Sequence, residues 1–102
     1  MSLLEDATQV IQEQYPYLIR EYGVNRIGFF GSVAKQCDSE ASDIDIVVDF
    51  KEPIGFKFID FVDCLEILLE RKVDVLTQDA IDTIRNKTVM NDIKRNIVYV
   101  KT

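Results

Sequence analysis

The chain has 102 residues, of which 47% are hydrophobic and 29% charged, a composition typical of one globular domain. It contains no histidine, which excludes Ser-His-Asp and Cys-His triads and most zinc enzymes. The formal net charge of -6 argues against stable binding to a nucleic-acid backbone, which requires a surface rich in lysine and arginine.

The sequence carries no sign of membrane insertion or export. No apolar run approaches the ~20 residues that span a bilayer, and the stretch Met1 to Asp6 lacks the basic segment of a signal peptide. Cys37 and Cys64 form no CxxC pair, so a structural zinc site is not expected and reduced thiols fit a cytosolic chain. We therefore expect a single domain over residues 1–102, located in the cytoplasm and without membrane contact.

The first predicted element is a helix over residues 3–22, where apolar side chains recur every three or four positions. Ser2 and Glu5 match a capping box at its start. Pro16 should kink or restart this helix, and Gly23 should end it.

The rest of the chain is predicted as strands and helices in alternation, separated by polar or glycine-containing turns. This order predicts an α/β or α+β domain, with a small mixed sheet flanked by helices, and it does not give the strand order. In chain order the elements are a strand at 26–31, a short helix at 32–35, a polar loop at 37–42, a strand at 43–50, a turn at Pro53 and Gly55, a helix at 58–69, a strand at 72–77, a helix at 79–95 and a strand at 97–100.

Acidic residues stand on two consecutive predicted strands. Asp43 and Asp45 open one strand two residues apart, so both side chains point to one face. Asp74 lies among apolar neighbours in the next strand, where an acid is costly unless it is paired. Neighbouring carboxylates repel unless a cation lies between them, and magnesium prefers such oxygen ligands. We therefore predict that Asp43, Asp45 and Asp74 bind magnesium, with two ions in a phosphoryl-transfer site.

Gly31 and Ser32, at the end of the first predicted strand, predict the phosphate-binding half of the same site. Glycine lets a phosphate approach the backbone closely, and a helix beginning there directs free N–H groups at an anion. The Ser32 hydroxyl adds a donor, and Lys35, one turn further on, would neutralise charge on a pyrophosphate leaving group. Each feature alone is commonly a turn or a solvated strand end; their occurrence together and in order favours function.

These motifs carry a resemblance to a known family. Gly31-Ser32, ten residues, then Asp43-Ile44-Asp45 resembles the GSx10DxD signature of the DNA polymerase beta-like nucleotidyltransferase superfamily. The size of the chain is similar to that of minimal nucleotidyltransferase (MNT) proteins, the antitoxins of HEPN/MNT toxin–antitoxin pairs. The similarity extends over nearly the whole chain, and it implies a nucleotidyltransferase fold like the palm of polymerase beta.

The resemblance also implies roles for the motif residues. Asp43 and Asp45 would bind both metal ions, and Asp74 would bind the catalytic metal and help to deprotonate the attacking hydroxyl. Gly31 and Ser32 would bind the triphosphate of ATP. The implied reaction is transfer of AMP from ATP to a tyrosine hydroxyl of a HEPN toxin, which silences the RNase activity of that partner.

Two alternatives to this protein adenylyltransferase remain open. An antitoxin acting by binding alone is mildly favoured by Lys35-Gln36, which stand where family members commonly carry Arg-Gly, because lysine lacks the bidentate fork of arginine. The second alternative is a transferase that acts as a homodimer on small, aminoglycoside-like acceptors. The chain is too small to build its own acceptor pocket, so we expect the acceptor to arrive with a partner, and a protein suits the negative charge better than a polynucleotide.

Overall fold

A computed structural model describes residues 3–35 and 43–101 of the chain. Ser2, Gln36, Cys37 and the loop predicted at 37–42 lie outside the described residues. None of the helices in the described ranges is both long enough and apolar enough to cross a membrane. In chain order the elements are α1 (Leu3–Tyr22), β1 (Val24–Phe30), α2 (Gly31–Ala34), β2 (Ile44–Phe50), α3 (Lys57–Leu69), β3 (Val73–Thr77), α4 (Gln78–Asp82), α5 (Lys87–Arg95) and β4 (Val98–Tyr99).

The strands form one mixed sheet in the order β3-β2-β1-β4. β1 runs antiparallel to both β2 and β4, whereas β2 and β3 are parallel. Parallel neighbours need a crossover, and α3 supplies it between β2 and β3. The predicted fold class, a small mixed sheet flanked by helices, is confirmed.

α1 continues through Pro16 as one helix, so of the two predicted effects, a kink or a restart, the restart is wrong. Tyr15 and Leu18, on either side of the proline, are 4% and 0% exposed in the core, and their burial outweighs the lost backbone hydrogen bond. The end of the helix is as predicted. Gly23 has a φ of +69°, and its N–H donates to the Ile19 carbonyl at 2.9 Å, which is a left-handed C-terminal cap.

The helix predicted at 79–95 is two helices, α4 and α5, which corrects the prediction. Asn86 ends the connection between them, and its side chain accepts hydrogen bonds from the Thr88 and Val89 N–H groups at 3.0 and 3.2 Å. Asparagine is among the strongest helix N-caps, so it starts a new helix at this point. The last strand is also shorter than predicted, since it spans Val98–Tyr99, with the Val100 N–H still donating to the Ile27 carbonyl of β1 at 2.9 Å.

The two faces of the sheet are covered by different helices. Because side chains alternate along a strand, the odd and even residues of β2 reach opposite faces. Ile44, Ile46 and Val48 join the main core, which also contains buried side chains from α1 and α3. Val47 joins a smaller cluster on the other face with Phe30 and Ile81, against which partly buried residues pack: Leu76, Ile84, Met90, Ile93 and Ile97. We call this second surface the α4/α5 face; Asp45 and Asp49 point to it.

Candidate active site

Gly31 joins β1 directly to α2 and lies against the carboxylate of Asp45. Its φ of +69° is in the left-handed region that favours glycine. A Cβ at this position would overlap the Asp45 Oδ2 oxygen and come within 3.1 Å of Cγ. Glycine is therefore required here both by the backbone conformation and by the approach of the carboxylate. The sequence predicts close approach of a phosphate at Gly31; the structure places Asp45 beside the same position.

Asp45 and Asp74 are paired in register on the parallel strands β2 and β3. Asp45 is also paired with Phe30 on β1, the residue before Gly31. In-register residues on adjacent strands point to the same face, and adjacent strands lie ~4.8 Å apart. The structure thus brings Asp45, Asp74 and Gly31 together on the α4/α5 face.

The surroundings of Asp74 differ from those expected from its apolar sequence neighbours. Val73 and Val75 are partly buried against the main core, but Asp74 itself is exposed. β3 is the last strand at this edge of the sheet, and alternation turns the carboxylate away from the core. Asp74 is therefore not in the apolar environment that its neighbours in the sequence predict, although it lies on the strand next to that of Asp45.

Asp43 lies just before β2 and is exposed, rather than forming the first residue of the strand. Its charge still reaches the site. Burial raises the pKa of the Asp45 carboxyl above its ordinary value, and the charges of Asp74 and then Asp43 raise that pKa further. The charges of Asp74 and Asp43 therefore oppose the ionisation of Asp45, which is the situation that a bound cation relieves.

The donor chemistry of this cluster suits a hard divalent cation. Across residues 3–35 and 43–101, however, no three His, Cys, Asp or Glu side chains are already arranged around one metal position. Magnesium commonly binds through one or two carboxylates and completes its octahedron with water and substrate phosphates. The residues present therefore fit an ion that arrives with a nucleotide, and not a cage formed by the protein alone.

The remaining predicted site residues follow Gly31 in α2. Ser32 is half-buried in the first turn of α2 and Lys35 is exposed directly after its end. α2 has only four residues, so its dipole is small and any phosphate contact must rely on individual N–H and hydroxyl groups. The Lys35 ammonium lies 3.6 Å from Asp92 Oδ2 on α5. Nothing in the sequence marks Asp92 as a site residue, because it is one of several exposed charges in this part of the chain and belongs to no motif.

A cleft of about 470 Å³ lies away from the carboxylate cluster. It is lined by the last residues of β2 and β3 and by the start of α3, including Phe50, Ile54, Phe58 and Thr77. Asp43 and Asp45 are at the opposite end of β2. We place the candidate site at Asp45, Asp74 and Gly31 and not in this cleft. A transfer site needs its charged groups close to the reacting atoms, and these three residues lie close together.

The chain is similar to known proteins over nearly its whole length. Residues 11–100 match the family model described as nucleotidyltransferase domain. Protein adenylyltransferase MntA of Thermococcus cleftensis is 37% identical over 101 residues, which cover 98% of each chain. A candidate protein adenylyltransferase of Methanocaldococcus jannaschii is 35% identical over 101 residues, covering 98% of this chain and 100% of that protein.

Two solved structures share the fold. One is described as a candidate minimal nucleotidyltransferase; it has a TM-score of 0.71 and 25% sequence identity, and the match covers 96% of this chain and 95% of that one. The other is a crystal structure of a mutant toxin–antitoxin pair, MntA-HpeT, with a TM-score of 0.62 and 16% identity over 88% of this chain and 71% of that one.

Proposed function

The chain belongs to the nucleotidyltransferase domain family, as an enzyme of the minimal nucleotidyltransferase group, and from this premise we propose that it transfers AMP from ATP to a hydroxyl group of a partner protein. The observation that carries the proposal is the in-register pair of Asp45 and Asp74 beside Gly31. Full-length similarity to proteins named as adenylyltransferases of proteins supports a protein acceptor.

In the proposed reaction the acceptor oxygen bonds to the α-phosphorus of ATP. The bond between this phosphorus and the oxygen bridging to the β-phosphate breaks, and pyrophosphate leaves. Asp74, exposed on the edge strand, accepts the proton of the acceptor hydroxyl. Gly31 and Ser32 hold the triphosphate through an N–H and a hydroxyl, and Lys35 balances the charge that develops on pyrophosphate.

Asp43, Asp45 and Asp74 are the residues that would hold magnesium, as two ions in the proposed site. Bound magnesium would neutralise the phosphate oxygens and stabilise the charge on the attacking and leaving oxygens. The raised pKa of Asp45 supports this assignment, because a carboxyl whose ionisation two other carboxylates oppose gains from a nearby cation. The same carboxylates make the site repel a nucleotide that carries no cation.

We propose that the acceptor is a tyrosine of a HEPN-type toxin and that its modification silences the toxin. A neighbour in fold is a toxin–antitoxin pair, which supports a toxin as partner. The net charge of -6 supports a protein rather than an RNA acceptor. The carboxylate cluster lies on an exposed edge of the sheet, where a second chain can approach Asp74 without entering a closed pocket.

The test is co-expression with the product of the neighbouring reading frame, followed by intact-mass analysis of that partner. We expect mass additions in AMP units with the wild-type chain, and none with Asp45→Asn or Asp74→Asn. Asp49→Asn is the matched control, since Asp49 lies on the same strand and face but at the far end of β2. An unmodified partner with wild type, or modification that persists in both variants, would refute the proposal.

A second candidate function is neutralisation of the toxin by binding alone. It is favoured by one observation in the sequence, that Lys35-Gln36 stand where family members commonly carry Arg-Gly, because lysine lacks the bidentate fork of arginine. The double variant Asp43→Asn with Asp45→Asn separates the two functions in a growth assay. If this variant protects cells from the toxin as well as wild type does, binding alone is sufficient and transfer is not the basis of neutralisation.

A further inference from the structure

Asp92 on α5 connects the C-terminal helix to Lys35. Its Oδ2 oxygen lies 3.6 Å from the Lys35 ammonium. Its Oδ1 oxygen accepts a hydrogen bond from the Asn96 amide at 3.3 Å, and the same amide donates to the Asp92 carbonyl at 2.8 Å. One carboxylate oxygen is thus held within α5, and the other is directed at the lysine.

The helix that carries Asp92 packs against the small cluster on the α4/α5 face. Met90 and Ile93 of α5 pack against the cluster that contains Phe30, the residue immediately before Gly31. Lys35 is tied to the same point from the other side, because its N–H donates to the Gly31 carbonyl at 3.1 Å. α5 packs on the cluster that contains Phe30, and α2 begins at the next residue. The distance between Asp92 and Lys35 therefore depends on how both helices pack.

A lysine at this position gains from a partner that fixes its direction. Its four-carbon stem is flexible and its ammonium is a point charge, so the side chain alone specifies no geometry for a phosphate. The ammonium has three donors, and one contact with Asp92 leaves two for phosphate oxygens. Both side chains are about half-exposed, and such a pair contributes little to stability. Its consequence is therefore expected in the placement of Lys35 and not in the folding of the chain.

We propose that Asp92 is a positioning residue for Lys35, which makes α5 part of the nucleotide site. Asp92 holds the ammonium on the α4/α5 face, the face that also carries Asp45 and Asp74. The inference rests on the proposed function in one respect, namely that Lys35 contacts the pyrophosphate portion of ATP. It assigns no contact between Asp92 and the substrate.

The first test is Asp92→Asn, compared with wild type for ATP in the presence of magnesium. We expect KM for ATP to rise roughly three- to five-fold, the scale of one exposed ion pair, with kcat changed less than about two-fold. Asp92→Glu retains the carboxylate and should recover part of the loss. The matched control is Asp82→Asn, which removes the 2.7 Å ion pair between Asp82 on α4 and Lys94 on α5 and does not involve Lys35. It should leave KM unchanged.

A double-mutant cycle then asks whether Asp92 acts through Lys35. In a Lys35→Gln background, Asp92→Asn should produce no further weakening of ATP binding, whereas a purely structural effect would appear in both backgrounds. Binding is measured by calorimetric titration with an ATP analogue that cannot be cleaved between the α- and β-phosphates, so the readout does not depend on turnover.

The possible results distinguish a failure of the inference about Asp92 from a failure of the proposed function. Tighter ATP binding by Asp92→Asn would mean that Asp92 competes with phosphate for the lysine, and unchanged binding would mean that it has no role; either result overturns the inference alone. Equal weakening in the wild-type and Lys35→Gln backgrounds also overturns it. If the wild-type chain binds no ATP with magnesium present, the proposed function itself fails, together with the premise of this inference.

Discussion

Replacing Asp45 with asparagine should stabilise the fold while it removes transfer activity. Asp45 lies in register with Asp74 and against Gly31, and burial and the neighbouring carboxylates raise its pKa. The folded state therefore disfavours the ionised form of this side chain at neutral pH. Asparagine has nearly the same shape, so it fits beside Gly31, and it carries no charge for Asp74 to repel.

The size of the effect follows from the strand spacing. Carboxylates on adjacent strands are roughly 5 Å apart, and two unit charges at that distance repel by about 0.8 kcal/mol in water and about 3 kcal/mol at an effective dielectric constant of 20. Asp74 is exposed, so solvent screening places the value near the lower limit, at about 1 kcal/mol. For a domain of about 100 residues this free energy raises Tm by roughly 4–8 °C.

The gain in Tm should depend on pH with a defined sign. An acid with a higher pKa in the folded than in the unfolded state binds more protons when folded, so ionisation of Asp45 costs stability as pH rises through its folded pKa. The cost is fully present above the raised pKa of Asp45 and is absent below the unfolded pKa of ~3.9. The difference in Tm between Asp45→Asn and wild type should therefore be largest near pH 7 and should shrink toward pH 3.5.

The assay is differential scanning calorimetry without nucleotide at several pH values, with transfer activity measured on the same preparations. Asp49→Asn is the control, because Asp49 accepts a hydrogen bond from the Asn25 amide at 3.0 Å and its neutralisation should leave Tm unchanged or lower it. A lower Tm for Asp45→Asn at pH 7, or a Tm difference that does not change with pH, would show that the carboxylates do not repel as the geometry requires.

Substitutions at three further positions test the local structure by urea denaturation. Gly31→Ala should lower the free energy of unfolding by about 1–3 kcal/mol, because a Cβ is strained at a φ of +69° and overlaps the Asp45 carboxylate. A variant as stable as wild type would contradict this close approach. Asn86→Ala should cost about 1 kcal/mol through the lost N-cap of α5, and Asn86→Asp should retain the stability. Glu66→Ala should cost about 1–2 kcal/mol, because the Glu66 carboxylate accepts the Val73 N–H at 3.1 Å, whereas Glu66→Gln keeps an acceptor and should be close to wild type.

The sequence predicts most of the fold because each element has a local signal. The helical spacing of apolar residues before Gly23 and the apolar runs containing Ile46 and Val75 identify elements that the structure contains. The errors arise where burial in the core or a side-chain cap outweighs the periodic pattern. α1 continues through Pro16 because its neighbours are buried, and α4 ends before Asn86 because a side-chain cap competes with a longer helix. Neither effect can be read from periodicity.

The candidate site could be predicted in its composition but not in its environment. Spacing alone places Asp43 and Asp45 near one strand end, and the consecutive strands favour Asp74 as their neighbour. Parallel pairing of β2 with β3 and the position of β3 at the sheet edge depend on the whole topology. For this reason the exposure of Asp74 was not predictable, and neither was the approach of Asp92 to Lys35 from α5.

The division of the sheet into two faces explains how a chain of this size can contain a site whose carboxylates repel one another and lower the stability of the fold. The main core, with α1 and α3, includes fully buried aromatic and aliphatic side chains such as Phe29, Phe61 and Leu65, whereas α5 on the opposite face has no buried residue. Repulsion of about 1 kcal/mol at Asp45 is a large fraction of the stability of a small domain. It can be tolerated because it acts on the face that contributes less to the core, and the same face is where solvent, a cation and a second chain can reach the carboxylates.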